Sequence, residues 1–197
     1  MAHAPESAGD VSAGLRATGY LPDDGLSTIT YLALAMQRPL LLEGEPGTGK
    51  TALAEALAEL LDAPLIRLQC YEGIDASQAL YDWDFPRQIL HLRAVEATSR
   101  TSNGVDMEAL EASLFADRFL LDRPILRALR EQNAVLLIDE IDRADDEFEA
   151  FLLEVLSTNQ VTIPEYGVVR AEKPPVVVLT SNRTRELHDA LKRRCLY

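Results

Sequence analysis

Positive charge is what this chain has least of. Against 32 acidic residues it sets 19 Lys and Arg, for a net charge of −13. A domain that works on a phosphodiester backbone usually carries a basic stripe, so the composition argues against nucleic acid as a partner. It does not exclude a single bound nucleotide, which needs only one local cation and some backbone N–H groups. Cysteine is scarce too. Cys70 and Cys195 stand far apart with no CxxC spacing. That speaks against a disulfide framework or a thiolate metal site and fits buried thiols in a reducing cytoplasm. No apolar run approaches the roughly 20 residues of a membrane span. The opening "MAHAPESAGD" has neither the basic nor the apolar region of a secretory signal, and residues 1–19 read as a short disordered lead-in. Internal repeats and low-complexity tracts are missing. What remains is 197 residues, 47% of them hydrophobic, enough for one domain with a real core.

What is present alternates. Leu26, Ile29, Ala33 and Met36 fall at helical spacing, and Pro39 closes that helix. "PLLLEG" reads as a strand buried on both faces. Leu53, Leu57, Leu60 and Leu61 mark a helix from Lys50 to about Leu61. "APLIRLQC", "AVLLID" and "PPVVVLTSN" read as three more strands. Phe148, Phe151, Leu152, Val155 and Leu156 give an amphipathic helix. "VTIPEYGVVRA" carries a hairpin signal, and "RTSNG" a turn or mobile loop. Residues 106–132 read as helical on both sides of Pro124, and "TRELHDALKRR" as a closing helix. The pattern predicts an α/β fold, a mostly parallel sheet with helices on both faces.

Three motifs carry chemistry. "GEPGTGKT", Gly44 to Thr51, fits G-x-x-x-x-G-K-[ST] between a predicted strand and a predicted helix. Gly44, Gly47 and Gly49 let the backbone curl so that N–H groups converge on phosphate oxygens, and Glu45, Pro46 and Thr48 fill the turn between them. Lys50 can reach the β- and γ-phosphates, and the Thr51 hydroxyl can ligate Mg²⁺. A chance match arises in on the order of one chain in a hundred, and the strand–helix context argues against chance. "VLLIDEID" ends a buried strand in Asp139 and Glu140. Asp139 is placed to hold Mg²⁺ through its water shell, and Glu140 to polarise a water for attack on a γ-phosphate. Alone, that pattern is common. "VVVLTSN" ends the fourth strand at Asn182, whose amide serves either beside the attacking water or as a helix cap.

Together these motifs resemble the AAA+ ATPases, and more narrowly the MoxR type, over about Tyr20 to Tyr197. "QCYEGIDASQALYDWDFPRQILHLRA" is similar to the subgroup associated with maturing molybdenum hydroxylases such as carbon monoxide dehydrogenase. The resemblance implies an AAA+ P-loop core over residues 20–197, which binds ATP and ADP with Mg²⁺ and hydrolyses ATP. It implies a cytoplasmic homo-hexamer that remodels a protein client, with metalloenzymes the client class. Asn182 takes the sensor 1 position, and residues near Tyr20, Leu21 and Pro22 sit against the adenine. The hairpin and an insert after Pro86 face the ring's pore. A nucleotide-dependent scaffold with little turnover and a nucleic-acid motor are the competing functions.

Arg193 and Arg194 admit two readings. Cations at a helix C-terminus favour its dipole by about 0.3–1 kcal/mol each. The resemblance instead implies an arginine finger, offered to a neighbouring subunit's γ-phosphate by one of the two, with Arg194 slightly favoured. It also implies a fifth strand beginning at "CLY" and a helical lid beyond it. The strand carrying the P-loop is then expected to be an unpaired edge, and these 197 residues to bind nucleotide weakly and hydrolyse it poorly.

Overall fold

The computed structural model describes residues 5–99 and 107–197. In chain order its elements are α1 (Ala8–Ala17), α2 (Asp24–Met36), β1 (Leu40–Glu43), α3 (Lys50–Leu60), β2 (Leu65–Gln69), α4 (Ala76–Leu80), β3 (Tyr81–Trp83), α5 (Phe85–Ser99), α6 (Met107–Leu114), β4 (Leu120–Asp122), α7 (Pro124–Arg130), β5 (Val135–Asp139), α8 (Asp146–Thr158), β6 (Gln160–Ile163), β7 (Gly167–Arg170), β8 (Val176–Ser181) and α9 (Asp189–Lys192). The "RTSNG" turn lies outside the described residues.

The main sheet runs β1-β8-β5-β2, and every pair in it is parallel. Successive side chains of a strand point to opposite faces, and the two faces have separate cores. Leu40, Val135, Leu137 and Val178 pack toward Leu53 and Leu57 of α3. Leu41, Leu136, Ile138 and Leu179 pack toward α7 and α8, against Ile125, Leu126, Phe148 and Leu152. Helices on both faces are what the strand–helix alternation predicts. β5 is buried at all five positions. β2 alternates instead, exposing Arg67 and Gln69, because it is an edge strand.

Four expectations need correction. The lead-in is not disordered throughout. Residues 8–17 form α1, capped by the Ser7 hydroxyl accepting from the Asp10 N–H at 3.1 Å. Val11 and Leu15 are fully buried within the core on the α3 face. Two apolar residues at i, i+4 suffice when a neighbouring helix covers them. The stretch before Pro124 is not continuously helical. α6 ends at Leu114, and β4 follows, pairing antiparallel with β3; Pro124 then opens α7. The closing helix shrinks to the four residues of α9. Finally, β1 is an edge but not a bare one. Leu41 N–H donates to the Leu196 carbonyl and Leu196 N–H to the Pro39 carbonyl, both at 2.8 Å, in parallel register.

The predicted hairpin is β6–β7. Tyr166 at its turn donates to Asp117 at 2.8 Å and accepts from Arg130 at 3.0 Å, which ties the tip to α7.

Candidate nucleotide site

The strands β1, β5 and β8 end side by side, and their C-terminal ends set the site. After β1 the chain turns through Gly44–Gly49 into α3. Gly47 and Gly49 have φ of +83° and +86°, a region that L side chains avoid, so glycine is required at both positions. No side chain caps the N-terminus of α3. Its first N–H groups are left for an anion. Glu45, Pro46, Gly47 and Thr48 form the exposed tip of the loop. Lys50 curls over it, its ammonium donating to the carbonyls of Gly44 and Glu45 at 2.8 Å each.

Asp139 closes β5, only 4% exposed. Its Oδ1 accepts from Thr180 Oγ1 at 2.5 Å and from Thr51 Oγ1 at 3.4 Å. Its Oδ2 accepts from Arg67 Nη2 at 2.5 Å. The next residue, Glu140, sits in the left-handed region at φ +55°. A non-glycine residue there costs of order 1 kcal/mol or more, and the surroundings must hold it. The Glu140 N–H donates to Thr180 Oγ1 at 2.9 Å, pinning the turn. Its carboxylate accepts from the Asn182 amide at 3.4 Å and from Arg143 at 3.0 Å.

Asn182 follows β8. Its N–H donates to Asp142 Oδ1 at 3.1 Å, while the Thr184 N–H and hydroxyl donate to Asp142 Oδ2. Burial pushes the Asp142 carboxyl up, but these donors outweigh it and hold the group below the usual carboxylate value. Asp142 therefore fixes where Asn182 stands. Further along, Arg185 bonds to the buried Glu149 of α8, to the Ala144 carbonyl and to Asp146. The His188 N–H donates to Glu149 at 2.8 Å. These ties hold residues 182–188 out of helix, which is why α9 is short.

Gly47, Lys50, Thr51, Asp139, Glu140 and Asn182 thus line one cleft of about 460 Å³. A second cavity of about 650 Å³ shares Lys50 and Thr48 with the loop and is walled by Tyr20, Leu26, Ile29 and Arg183. The Tyr20 ring lies 3.7 Å from where a Cβ on Gly49 would stand. Of the three residues expected near an adenine, only Tyr20 lines this cavity. Leu21 is 78% exposed, and Pro22, though buried, is not part of the cavity's wall. Arg193 and Arg194 line neither cavity. Both are exposed, neither guanidinium has a bond or ion pair among the described residues, and their carbonyls accept from Arg38.

The donor set suits a hard cation. Mg²⁺ takes oxygen ligands and keeps several waters. The described residues hold no cluster of three acidic, His or Cys groups for a metal. One hydroxyl (Thr51) and one carboxylate (Asp139), which meet at Asp139 Oδ1 beside a phosphate cradle, are what a nucleotide-borne Mg²⁺ needs. Sequence reasoning passed over Arg67, Asp142, Thr180, Glu149 and Arg185. A lone Arg on an edge strand or a second acid after Asp-Glu gives no signal until the strand register is known. The cysteines do fit expectation: both are free and buried, and burial pushes each thiol up to about 12.

Residues 39–195 match the AAA domain family, dynein-related subfamily. The chain belongs to this family, and its fold is that of an AAA+ P-loop ATPase. Two curated proteins of Staphylococcus aureus, from strains RF122 and USA300, are each 28% identical over 165 residues. Each match covers 81% of this chain and 54% of the relative, so the chain spans about half the length of those relatives. They are named only as uncharacterized proteins. A crystal structure from Cytophaga hutchinsonii, provisionally named an ATPase, superposes with a TM-score of 0.56 at 19% identity. It covers 95% of this chain and 46% of that one, and it speaks for the fold alone. No helix among the described residues is long and apolar enough to cross a membrane.

Proposed function

We propose that this chain is the ATP-hydrolysing core of a MoxR-type AAA+ remodelling chaperone. One observation carries the reading: Lys50, Thr51, Asp139, Glu140 and Asn182, from three separated strands or loops, converge on a single cleft. The loop N–H groups and Lys50 bind and orient the triphosphate. Thr51 and Asp139 hold Mg²⁺, which when bound neutralises charge on the phosphate oxygens. Glu140, oriented by Asn182 on one oxygen and Arg143 on the other, accepts a proton from the attacking water. Arg193 or Arg194, bare and outside the cleft, serves the γ-phosphate of a neighbouring copy in a homo-hexamer. A protein client, a metalloenzyme in the subgroup this sequence resembles, meets the hairpin and α5, the latter exposing Phe85, Ile89 and Leu90.

The test pairs turnover with capture. Glu140→Gln, in a form that assembles, should bind ATP, stop releasing phosphate and stop activating its client, and it should retain the client in a pull-down. Client activation that survives without hydrolysis favours a nucleotide-dependent scaffold. A salt-sensitive shift of DNA favours a nucleic-acid motor.

A further inference from the structure

Both oxygens of the buried Asp139 carboxylate are engaged. Thr180 and Thr51 occupy Oδ1, and Arg67 occupies Oδ2. Of these partners only Arg67 is a cation, and it comes from a different strand. It stands on the edge strand β2, in register with Leu137, and reaches past Gln69, the register partner of Asp139. The Asp139 side chain is 6% exposed while that of Arg67 is 53% exposed. The guanidinium therefore lies at the mouth of the cleft with its head turned inward. The same Nη2 also donates to Gln69 Oε1 at 2.7 Å. Arg67 thus has a second partner on its own strand, outside Asp139.

We infer that Arg67 is the counter-ion of Asp139 in the metal-free site, and that it competes with Mg²⁺ for the charge of that carboxylate. This rests on the nucleotide-site reading above. Asp142 is held by backbone and hydroxyl donors, but the side-chain donors described for Asp139 are two hydroxyls and Arg67, so losing that one cation is costly. Arg67 supplies that charge while the cleft lacks metal and keeps the β5 end in place for the next nucleotide. The consequence is competition. A charge-assisted, short guanidinium–carboxylate bond is among the stronger contacts a side chain makes. Mg²⁺ beside Thr51 draws on a carboxylate that Arg67 already neutralises from its other oxygen, so the wild-type site should need more Mg²⁺ than a site lacking Arg67. Arg67 is a positioning residue here, not a catalytic one.

The experiment uses the 197-residue chain and a fluorescent ADP analogue, with binding followed by anisotropy while Mg²⁺ is titrated. Thermal midpoints are measured in EDTA and in Mg²⁺ with ADP. Arg67→Gln should lower the half-saturating Mg²⁺ concentration about tenfold, the scale of losing one charge-assisted bond. It should lower the thermal midpoint in EDTA and recover it in Mg²⁺ with ADP. Arg67→Lys keeps the charge but not the fork, and its half-saturating Mg²⁺ should fall between the two. It also keeps the question open to disproof if Arg67→Gln fails to fold. A purely structural Arg67 would lower the midpoint equally in both buffers. That result, or an unchanged Mg²⁺ requirement in the variants, overturns the inference alone. Wild-type protein that binds no nucleotide at any Mg²⁺ concentration overturns the nucleotide-site reading and this inference with it.

Discussion

The cleft and the C-terminal arginines handle charge in opposite ways. In and beside the cleft the acidic groups that close and follow β5 are engaged: Asp139 by Arg67 and two hydroxyls, Glu140 by Arg143 and Asn182, Asp142 by Asn182 and Thr184. At the end of α9, Arg193 and Arg194 lie exposed with no side-chain partner among the described residues, though their backbone is anchored by Arg38. A group that works inside its own domain must be held at rest, or burial would destabilise the fold. A group meant for another molecule gains by being held at the backbone and left free at the tip. The contrast makes the cleft sensitive to single substitutions within one chain, and the arginines sensitive only in an assembly.

On the proposed arginine-finger reading, the largest effect should appear in an assembly of copies. Alanine at Arg193 or at Arg194, whichever reaches the neighbour, should cut ATP turnover of the assembled protein by about 10³–10⁵. Nucleotide affinity of the isolated chain should not move, since neither side chain touches its cleft. Full turnover in both variants would remove the finger assignment and leave the arginines as helix-terminal charge. Next in size, Glu140→Gln should lower phosphate release by about 10²–10⁴ while keeping the nucleotide bound. A normal rate in that variant would dissolve the contrast, because the cleft would then have no base.

How far each region was legible follows from the same contrast. The phosphate loop could be read because its chemistry fixes residue types at close spacing, and the Asp139–Glu140 pair because a fully buried strand ends in it. Their supports could not. Arg185 and Glu149 are 36 residues apart in sequence, and Thr180 meets Asp139 across 41. Nothing local in either segment names its partner. α1 hid because a helix needs only Val11 and Leu15 when another helix covers them. α9 was overread because "TRELHDALKRR" has helical composition, while Asp142 and Glu149 divert its first half into side-chain bonds. Local pattern predicts elements well until a buried carboxylate elsewhere claims the backbone.

Those supports can be weighed by stability. Glu149 is fully buried, and Glu149→Ala removes the partner of both Arg185 and the His188 N–H. Breaking a buried pair can cost about 3–5 kcal/mol. Arg185 is 34% exposed and keeps Asp146 and the Ala144 carbonyl, so about 2–4 kcal/mol is expected, read from urea unfolding. A loss under about 0.5 kcal/mol would mean that the Glu149 bonds are not what holds residues 185–188.

The smallest effect, Asp142→Asn, is also the one whose sign depends on pH. Asp142 accepts three hydrogen bonds, which hold its pKa below the usual carboxylate value despite burial. A group depressed on folding stabilises the fold fully above its unfolded pKa, near 3.9 for Asp. That contribution disappears as pH falls through the lower, folded value. The asparagine variant keeps one acceptor and turns its NH₂ toward donors. It should therefore lose about 1–3 kcal/mol near neutrality. The gap between variant and wild type should stay flat down to about pH 4 and close below it, as wild-type Asp142 takes up its proton. Because Asp142 also seats Asn182, the variant should lose turnover at neutral pH with little change in nucleotide affinity. A stability gap that persists undiminished in acid would show that Asp142 acts by shape and not by charge. The cleft would then owe less to held carboxylates than the bare arginines make it seem by contrast.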